Sequence, residues 1–410
     1  MTKLPEGLQL TALDPEYRAD PYPILRQMRE ASPVHRDPYF GTVQLTRYND
    51  VRSTLTDKSL WRDPLRGDDS SLDRRQALEE IAAAGGQRRQ QSILTSDDPD
   101  HGRIRGLLTP ALYKRFASSR AMVDQVVDKH LDNLAGLQSF DLIKMFALPI
   151  PIEVIAHLLG VDEDRLPEFR AWSEAIVQTF NPARTLDQTT QMMAGLQAAE
   201  QYLSELMAAR RQSAREDLVS DLVKLQADGA ELTDGEIRIN CLTLLIAGNL
   251  TTTDLIGNGV RLLLKHPAEL AKLRADPTLV NAAVEEILRY EPPVDLTGRV
   301  ASHDLEIGGC PVRAREAIAP SLRAANRDPA IFSDPDTFDI TRPRAAHVAF
   351  GGGAHICLGA PLARIEAHAV FSRLFDRFPQ LALADDAADW RALPFFRGLE
   401  QLEVWTGSGA

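Results

Sequence analysis

The stretch FGGGAHICLG, residues 350–359, surrounds Cys357 with four of the chain's 25 glycines. Glycine permits positive φ and lets a flat or bulky group come close to the backbone. The following residues, LGAPLARIEAHAVFSRLF, have helical periodicity, so Cys357 is predicted just before a helix N-terminus, where amide groups and the helix dipole stabilise a thiolate. Such a thiolate is a nucleophile or a metal ligand. Because His355 is only two residues away, a poor spacing for a catalytic dyad, the metal-ligand interpretation is favoured.

The other two cysteines give no sign of chemistry. Cys241 lies in the apolar run CLTLLIA and is predicted to be a small core residue. Cys310, in IGGCPV, is predicted at a turn. Without a CxxC pair the chain cannot form a disulfide scaffold, and a zinc ribbon or an iron–sulfur cluster is disfavoured.

Composition limits the partners and the compartment. The chain has 410 residues, 44% hydrophobic and 25% charged, with a formal net charge of −12. Nucleic acids and anionic membranes both call for a basic surface, so this charge argues against either partner. No apolar run approaches the roughly 20 residues that span a bilayer, and the start MTKLPEGLQL is too polar for a secretory signal. We therefore expect a cytoplasmic protein that is a monomer.

Helical patterns dominate the chain. Apolar residues recur at spacings of three and four, whereas strand-like pieces are short and few. The predicted helices include residues 23–31, 121–135, 189–214 and 277–290, and the predicted strands are residues 43–46, 305–307, 317–319 and 402–405. Residues 291–350, rich in Pro, Asp and Gly, are predicted as mostly loop and turn. The expected fold is mainly α with a minor β part, in a single domain over residues 1–410.

The longest predicted helix covers residues 236–265. Thr233 and Glu236 form a capping box before it, and a His-Pro pair ends it. Its middle, AGNLTTT at residues 247–253, consists largely of poor helix formers. Either threonine hydroxyls bond back to preceding carbonyls and kink the helix, or the helix opens beside a ligand and presents a hydroxyl to it. Both interpretations remain open from the residues alone.

FGGGAHICLG resembles the haem loop of the cytochromes P450, F-G-x-G-x-H-x-C-x-G, at every fixed position. Three further stretches match that family in the right order. EEILR at residues 285–289 is similar to its E-x-x-R motif, DDPDHGRIRGLLTPAL at residues 97–112 to its helix over one haem edge, and AGNLTTT to its oxygen-binding helix. The resemblance implies a cytochrome P450 fold with haem b between the long helix and the helix after Cys357.

The resemblance also implies roles for individual residues. Cys357 would be the axial thiolate of the haem iron, whose electron density favours O–O bond cleavage. The haem propionates would be held by His101, Arg105, Arg299 and His355. Further haem contacts would come from Phe350, Gly353, Gly359, Ala247 and Gly248. Glu286 and Arg289 would form a buried structural network, for which Arg327 is the expected third member.

One position departs from the family. Aligning AGNLTTT puts Thr251 at the family's threonine and Leu250 where an aspartate or glutamate normally helps to deliver protons. Leucine cannot relay a proton, although Thr251 can still donate a hydrogen bond to dioxygen. Asn249 and Asp254 are the nearest polar candidates to organise water as further catalytic residues, while a paired or solvated carboxylate is the simpler interpretation of Asp254.

The resemblance implies an enzyme that oxidises a hydrophobic small molecule, most simply by hydroxylation, with O2 and two electrons. A ferredoxin and a ferredoxin reductase would supply the electrons. The expected substrate contacts are Ile93, Leu94, Thr243, Ile246, Val294, Leu296, Phe395 and Phe396, mostly apolar as in small-molecule pockets. The alternatives are a peroxide-using or oxidative-coupling enzyme, favoured by Leu250, and a non-catalytic haem sensor or electron carrier.

Overall fold

The computed structural model describes residues 4–83, 85–86, 88, 90–181, 184–343 and 346–407. Helices account for most of this part of the chain. In chain order they are α1 Pro15–Ala19, α2 Tyr22–Ala31, α3 Tyr48–Thr56, α4 Leu72–Ala83, α5 Asp100–Ser118, α6 Arg120–Asn133, α7 Pro149–Leu159, α8 Leu166–Ile176, α9 Leu186–Gln212, α10 Leu218–Ala227, α11 Asp234–Lys265, α12 Pro267–Ala275, α13 Val280–Tyr290, α14 Leu322–Ala325 and α15 Ala360–Arg377. The predicted helices are present within a few residues of their predicted ends, and Pro277–Leu279 forms a 3₁₀ turn before α13.

The strands are short and form four small sheets in the described residues. They are β1 Val34–Asp37, β2 Thr42–Leu45, β3 Ser139–Asp141, β4 Arg299–Val300, β5 Leu305–Ile307, β6 Cys310–Val312, β7 Ala317–Pro320, β8 Ala382–Leu383, β9 Asp389–Trp390, β10 Leu399–Gln401 and β11 Glu403–Trp405. The largest sheet has the order β1-β2-β7-β4, in which β2 and β7 are parallel and the other pairs antiparallel. The other sheets are β3-β11-β8, β5-β6 and β9-β10. The fold is therefore mainly α with a minor β part, as predicted.

Helix α11 crosses the centre of the fold without a break. Its start has the predicted capping box, in which Thr233 Oγ1 accepts from the Glu236 amide at 3.2 Å and Glu236 Oε2 accepts from the Thr233 amide at 2.8 Å. Within AGNLTTT the backbone stays α-helical, and Thr251 Oγ1 donates to the Ala247 carbonyl at 2.6 Å. The hydroxyl therefore bonds back along the helix, and the backbone does not open in this structure.

By length and composition α11 could cross a membrane, which corrects the expectation that no segment is long and apolar enough. However, 61% of its most apolar window is buried inside the protein. A core helix meets the same criterion, and α11 packs on α7, α9, α13 and α15.

The helix after the cysteine loop lies directly against α11. A Cβ on Gly259 would come within 2.3 Å of Phe371 Cζ on α15, so only glycine lets the two helices come this close. Phe371 is one of the largest fully buried side chains. Burying such an aromatic side chain stabilises the fold by about 1.5–3 kcal/mol. This contact helps to fix the cysteine loop relative to the central helix.

A separate apolar cluster lies beneath the four-stranded sheet. It joins Val43 and Leu45 of β2 to Tyr48, Val51 and Leu55 of α3. Gly353 of the cysteine loop, with φ +65°, packs against the end of α3, where a Cβ would lie 2.4 Å from the Leu55 carbonyl oxygen. The loop is thus held by α3 on one side and by α15 on the other.

Candidate haem-thiolate site

The Cys357 side chain lies at the end of the cysteine loop, immediately before α15. The Cys357 amide donates to the Phe350 carbonyl at 2.9 Å, which closes the loop. The side chain is exposed, and the amides of Gly359 and Ala360 donate to its sulfur. Phe350 is half-buried, with the Arg364 guanidinium 4.5 Å from its ring centroid. The sulfur therefore faces accessible space, with helix amides behind it.

Burial raises the pKa of the Cys357 thiol, an effect that the Gly359 and Ala360 amides and the charges of Arg105 and Arg364 only partly oppose. The amides at the helix terminus do stabilise a thiolate, as predicted, but loss of hydration outweighs them in the protein by itself. A metal ion bound to the sulfur would reverse this balance, since a coordinating thiol is deprotonated.

Four predicted propionate ligands lie together beside this space. The His101 and His355 ring centroids are 3.9 Å apart. Arg105 Nη2 donates to the Ile356 carbonyl at 2.7 Å, next to the cysteine. Arg299 is buried, and its guanidinium donates to the main-chain carbonyls of Gly298 and Leu55.

The surroundings of this cluster disfavour the charged form of each of its four side chains and so lower their pKa values. Burial and the neighbouring cations lower the pKa of His355 to about 2, and burial with the charge of Arg62 lowers the pKa of Arg299 to about 9. In the described residues His101 Nε2 is buried without a hydrogen-bond partner. Asp98, 3.9 Å from His101, and Asp97 oppose these shifts only in part. Two haem carboxylates would offset the remaining repulsion and loss of hydration, so the cluster fits them.

Sequence reasoning missed Arg62, which belongs to the same cluster. Its guanidinium donates to Thr297 Oγ1 at 2.9 Å, to the Leu94 carbonyl at 3.1 Å and to the Gly298 carbonyl. Its positive charge helps to lower the pKa values of His101, His355 and Arg299. A single arginine in the loop LWRDP has no motif around it, so only the fold could reveal its place.

An accessible stripe on α11 runs along one face of an otherwise largely buried helix. Thr243, Ala247 and Thr251 follow one another at intervals of four residues. Ala247 is exposed, and the two threonines are half-buried. This spacing puts the three side chains on the same face of a helix. Gly248 lies to one side of the stripe, where a Cβ would be 2.9 Å from Ile155 Cδ1 of α7. Thr251 therefore presents its hydroxyl from the accessible face.

The structure contradicts the prediction that Asn249 and Asp254 accompany Thr251. Asn249 is buried, and its Nδ2 donates to Ser173 Oγ of α8 at 2.7 Å. Asp254 is buried too, and both of its oxygens accept from Arg391. Leu250, at the family's acid position, is also buried. The two polar side chains are committed to other elements, and neither lies on the accessible stripe.

The predicted substrate contacts are all partly accessible. Val294 pairs with Phe396, and the Phe395 carbonyl accepts from the Asp295 amide at 2.8 Å. Phe395 has φ +66°, which is unusual for a bulky residue and marks backbone strain of the kind found at ligand sites. The half-buried members are Ile93, Thr243, Ile246, Val294, Leu296, Phe395 and Phe396, and Leu94 is 41% exposed.

The E-x-x-R pair forms a buried network, but its third member is not Arg327. Arg289 donates from Nε and Nη2 to the two Glu286 oxygens, each at 2.7 Å. Arg342 reaches the same carboxylate at 3.2 Å. Arg327 instead pairs with Asp336 at 2.9 Å and lies over the Tyr290 ring, 3.5 Å from its centroid. The prediction of Arg327 was wrong, because the loop that contains Arg342, just before the cysteine loop, reaches Glu286. The loop that contains Arg327 does not.

Comparison with known proteins agrees with this geometry. The sequence model of Cytochrome P450 matches residues 54–387. Cytochrome P450 107B1 of Saccharopolyspora erythraea is 38% identical over 406 residues, covering 97% of this chain and 98% of the relative. The myxobacterial cytochrome P450 CYP267B1, solved with myristic acid, is 36% identical with a TM-score of 0.88, covering 97% and 99% of the two chains. P450BioI, solved with an acyl carrier protein carrying hexadec-9Z-enoic acid, is 35% identical with a TM-score of 0.85, covering 95% and 99%.

The chain belongs to the cytochrome P450 family. It is a haem-dependent oxidoreductase, a haem-thiolate monooxygenase that acts on hydrophobic substrates. The residues described above supply a single cysteine at the loop, a cation cluster and an accessible face on the central helix. All three fit a haem group, and the non-catalytic alternatives are excluded by this family assignment.

Proposed function

We propose that this protein hydroxylates a hydrophobic small molecule at a haem b held by Cys357, with the whole chain acting as one domain. The observation that carries the proposal is the exposed Cys357 sulfur close to a cluster in which the buried Arg299 guanidinium donates to main-chain carbonyls and forms no ion pair within the described residues. Haem bound there would supply activation of O2, which the side chains of the chain cannot perform. His101, Arg105, Arg299, His355 and the newly found Arg62 would hold its propionates. Phe350, Gly353 and Gly359 shape the loop beneath it.

The residues on the other side would set the polarity of the pocket. Ala247 has only a methyl side chain and would leave room over a haem, whereas the missing side chain of Gly248 makes room for Ile155 of α7 and not for the cofactor as predicted. The Thr251 hydroxyl now donates to the Ala247 carbonyl, and by rotating it can donate to an incoming oxygen. Apolar side chains such as Val294, Leu296 and Phe396 exclude water from the substrate.

The electron donors that fit this reading are a ferredoxin and its reductase. A cytoplasmic monomer fits the acidic composition, with its net charge of −12. Structural neighbours were solved with long acyl ligands and with the steroids corticosterone and testosterone, which supports a hydrophobic substrate here without fixing its shape.

The haem ligand is tested by the spectrum of reduced protein under CO. We expect the red-shifted Soret band of a thiolate-ligated haem, and its loss in Cys357→Ala. Cys241→Ala is the matched control, because Cys241 is buried in the core and burial raises the pKa of its thiol to about 12. A band that survives in Cys357→Ala contradicts the assignment.

Use of peroxide is a second candidate, favoured by the buried Leu250 at the family's acid position. An apolar side chain there removes the usual proton donor, and hydrogen peroxide brings its own protons. Turnover with peroxide alone, at a rate matching that with reductase and ferredoxin, would favour this candidate. Turnover that needs both redox proteins would support the monooxygenase reaction.

A further inference from the structure

An ion pair joins α13 to the helix that follows the cysteine loop. Both carboxylate oxygens of Glu285 accept from Arg364 of α15, at 2.6 Å from Nε and at 2.9 Å from Nη2. Two parallel hydrogen bonds of this kind fix the plane of the guanidinium as well as its position. Glu285 directly precedes Glu286, which bonds to Arg289 in the buried network. The two neighbouring carboxylates therefore serve separate arginines.

The Arg364 guanidinium lies beside the residue that closes the cysteine loop. It is 4.5 Å from the Phe350 ring centroid, and the Phe350 carbonyl accepts from the Cys357 amide at 2.9 Å. Ala360, whose amide donates to the sulfur, precedes Arg364 by four residues, so both lie on one face of α15. The guanidinium is thus held close behind the cysteine, and its charge partly opposes the rise in thiol pKa that burial causes.

His347 also holds the Glu285 carboxylate but adds no charge. Its Nε2 lies 3.1 Å from Glu285 Oε2, and its Nδ1 accepts from the Ala349 amide at 3.2 Å. A ring nitrogen that accepts carries no proton, so the imidazole is the neutral tautomer that donates from Nε2. Burial would raise the pKa of Glu285, but the hydrogen bonds from Arg364 and His347 lower it to about 2. Glu285 is therefore ionised, and its charge offsets that of Arg364.

We propose that Glu285 is a positioning residue that keeps electron density on the Cys357 sulfur, by neutralising Arg364 and holding it against Phe350. An uncompensated cation behind a thiolate would draw electron density away from the metal and favour uptake of an electron by a bound haem iron. A neutral pair has a much weaker field. This proposal rests on the proposed function, because it takes the sulfur to be the ligand of a haem iron.

The test is a redox titration of the haem-loaded protein. Glu285→Gln leaves the cation uncompensated and should raise the reduction potential of the iron, whereas Arg364→Gln leaves the carboxylate and should lower it. The side chains of Arg364 and Glu285 are 41% and 29% exposed, so water screens both charges. We therefore expect a change of about threefold in the equilibrium constant of reduction, or ~30 mV for one electron. The double variant should return close to the wild-type potential.

Two further variants separate charge from structure. Arg364→Lys keeps the positive charge without the planar fork of the guanidinium, and it should stay close to the wild-type potential. Arg373→Gln is the matched control, because it removes a cation from the same helix that is likewise paired, with Asp128 at 3.0 Å. It should leave the potential unchanged.

Several results would overturn the proposal. Shifts of the same sign in Glu285→Gln and Arg364→Gln would mean that the pair only supports the shape of the loop. An equal shift in Arg373→Gln would mean that the potential follows the net charge, and unshifted potentials would mean that the pair does not influence the iron. The CO spectrum of the same samples tests the proposed function separately. A wild type without the thiolate band rejects Cys357 as the ligand, whereas a normal band with unshifted potentials rejects only the role of Glu285.

Discussion

Arg391 Nη2 lies 2.8 Å and 3.0 Å from the two carboxylate oxygens of Asp254. The pair connects the middle of α11 to the chain just after β9. The Asp254 side chain is 1% exposed and that of Arg391 20%. Removing the arginine therefore leaves a buried, unpaired carboxylate, whereas removing the carboxylate leaves a cation that water can partly reach.

We expect this asymmetry in the free energy of unfolding. Arg391→Ala should cost about 3–5 kcal/mol, and Asp254→Asn only about 1–3 kcal/mol. Chemical denaturation of the two variants measures both values. If Asp254 instead served proton delivery, Asp254→Asn would lower the yield of product per electron, and we expect that yield to stay unchanged.

Thr251 is expected to control coupling of electron use to product formation. Thr251→Ala removes the one hydroxyl on the accessible stripe of α11 that the family pattern supports. We expect about tenfold less coupled turnover, or ~1.4 kcal/mol, with more hydrogen peroxide released. Thr251→Ser keeps a hydroxyl and should restore most of the yield, and Asn249→Ala is the control for a buried polar neighbour. An unchanged ratio of product to reductant in Thr251→Ala would contradict this role.

The cation cluster should govern retention of haem. Arg299→Ala and Arg105→Ala each leave a propionate without a partner, which should weaken haem binding by about 1–3 kcal/mol. The rate of haem transfer to apomyoglobin measures the loss. Lys114→Ala, an exposed change on the same helix as Arg105, is the control. Wild-type transfer rates in both arginine variants would show that the propionates are held elsewhere.

Double-mutant cycles with Glu286 should give different coupling energies for Arg342 and for Arg327. Arg342 bonds to the Glu286 carboxylate at 3.2 Å, whereas Arg327 bonds to Asp336. Residues in one network show interaction energies of roughly 0.5–3 kcal/mol, and independent residues add. We therefore expect coupling for Arg342→Ala with Glu286→Gln and near additivity for Arg327→Ala with Glu286→Gln. Equal coupling in both cycles would restore Arg327 to the network.

Glu366 should make stability depend on pH. It is buried on α15, its Oε2 has no hydrogen-bond partner in the described residues, and burial raises its pKa from 4.5 to about 8. The folded protein therefore favours the protonated Glu366 carboxyl more than the unfolded chain does. This contribution to folding stability is complete below pH 4.5 and is lost as the pH rises toward 8.

Glu366→Gln removes this titration while keeping the shape of the side chain. We expect the difference in melting temperature, Glu366→Gln minus wild type, to increase from pH 5 to pH 8, since each pKa unit corresponds to about 1.4 kcal/mol of stability. Asp376→Asn, an exposed change on the same helix, is the control. Parallel pH profiles for wild type and Glu366→Gln would contradict the prediction.

The sequence predicted the parts of the site that local pattern determines. A glycine-rich loop before a helical period located Cys357, and the capping box located the start of α11. Arg62 and Arg342 could not be predicted, because each lies in a loop whose path depends on distant contacts. The orientation of Asn249 was also hidden, because its amide is fixed by Ser173, 76 positions away in the chain.

The contact between Gly353 and the Leu55 carbonyl has a consequence for tuning of the cofactor. The loop that carries the thiolate rests on α3, which packs with the sheet side of the molecule, while Thr251 belongs to the central helix in the main core. Leu358 and α15 join the same loop to the main core, so the loop bridges the two apolar clusters. A side chain added at Gly353 would push the loop away from α3, and the spectrum of a bound haem iron would report the change around the sulfur.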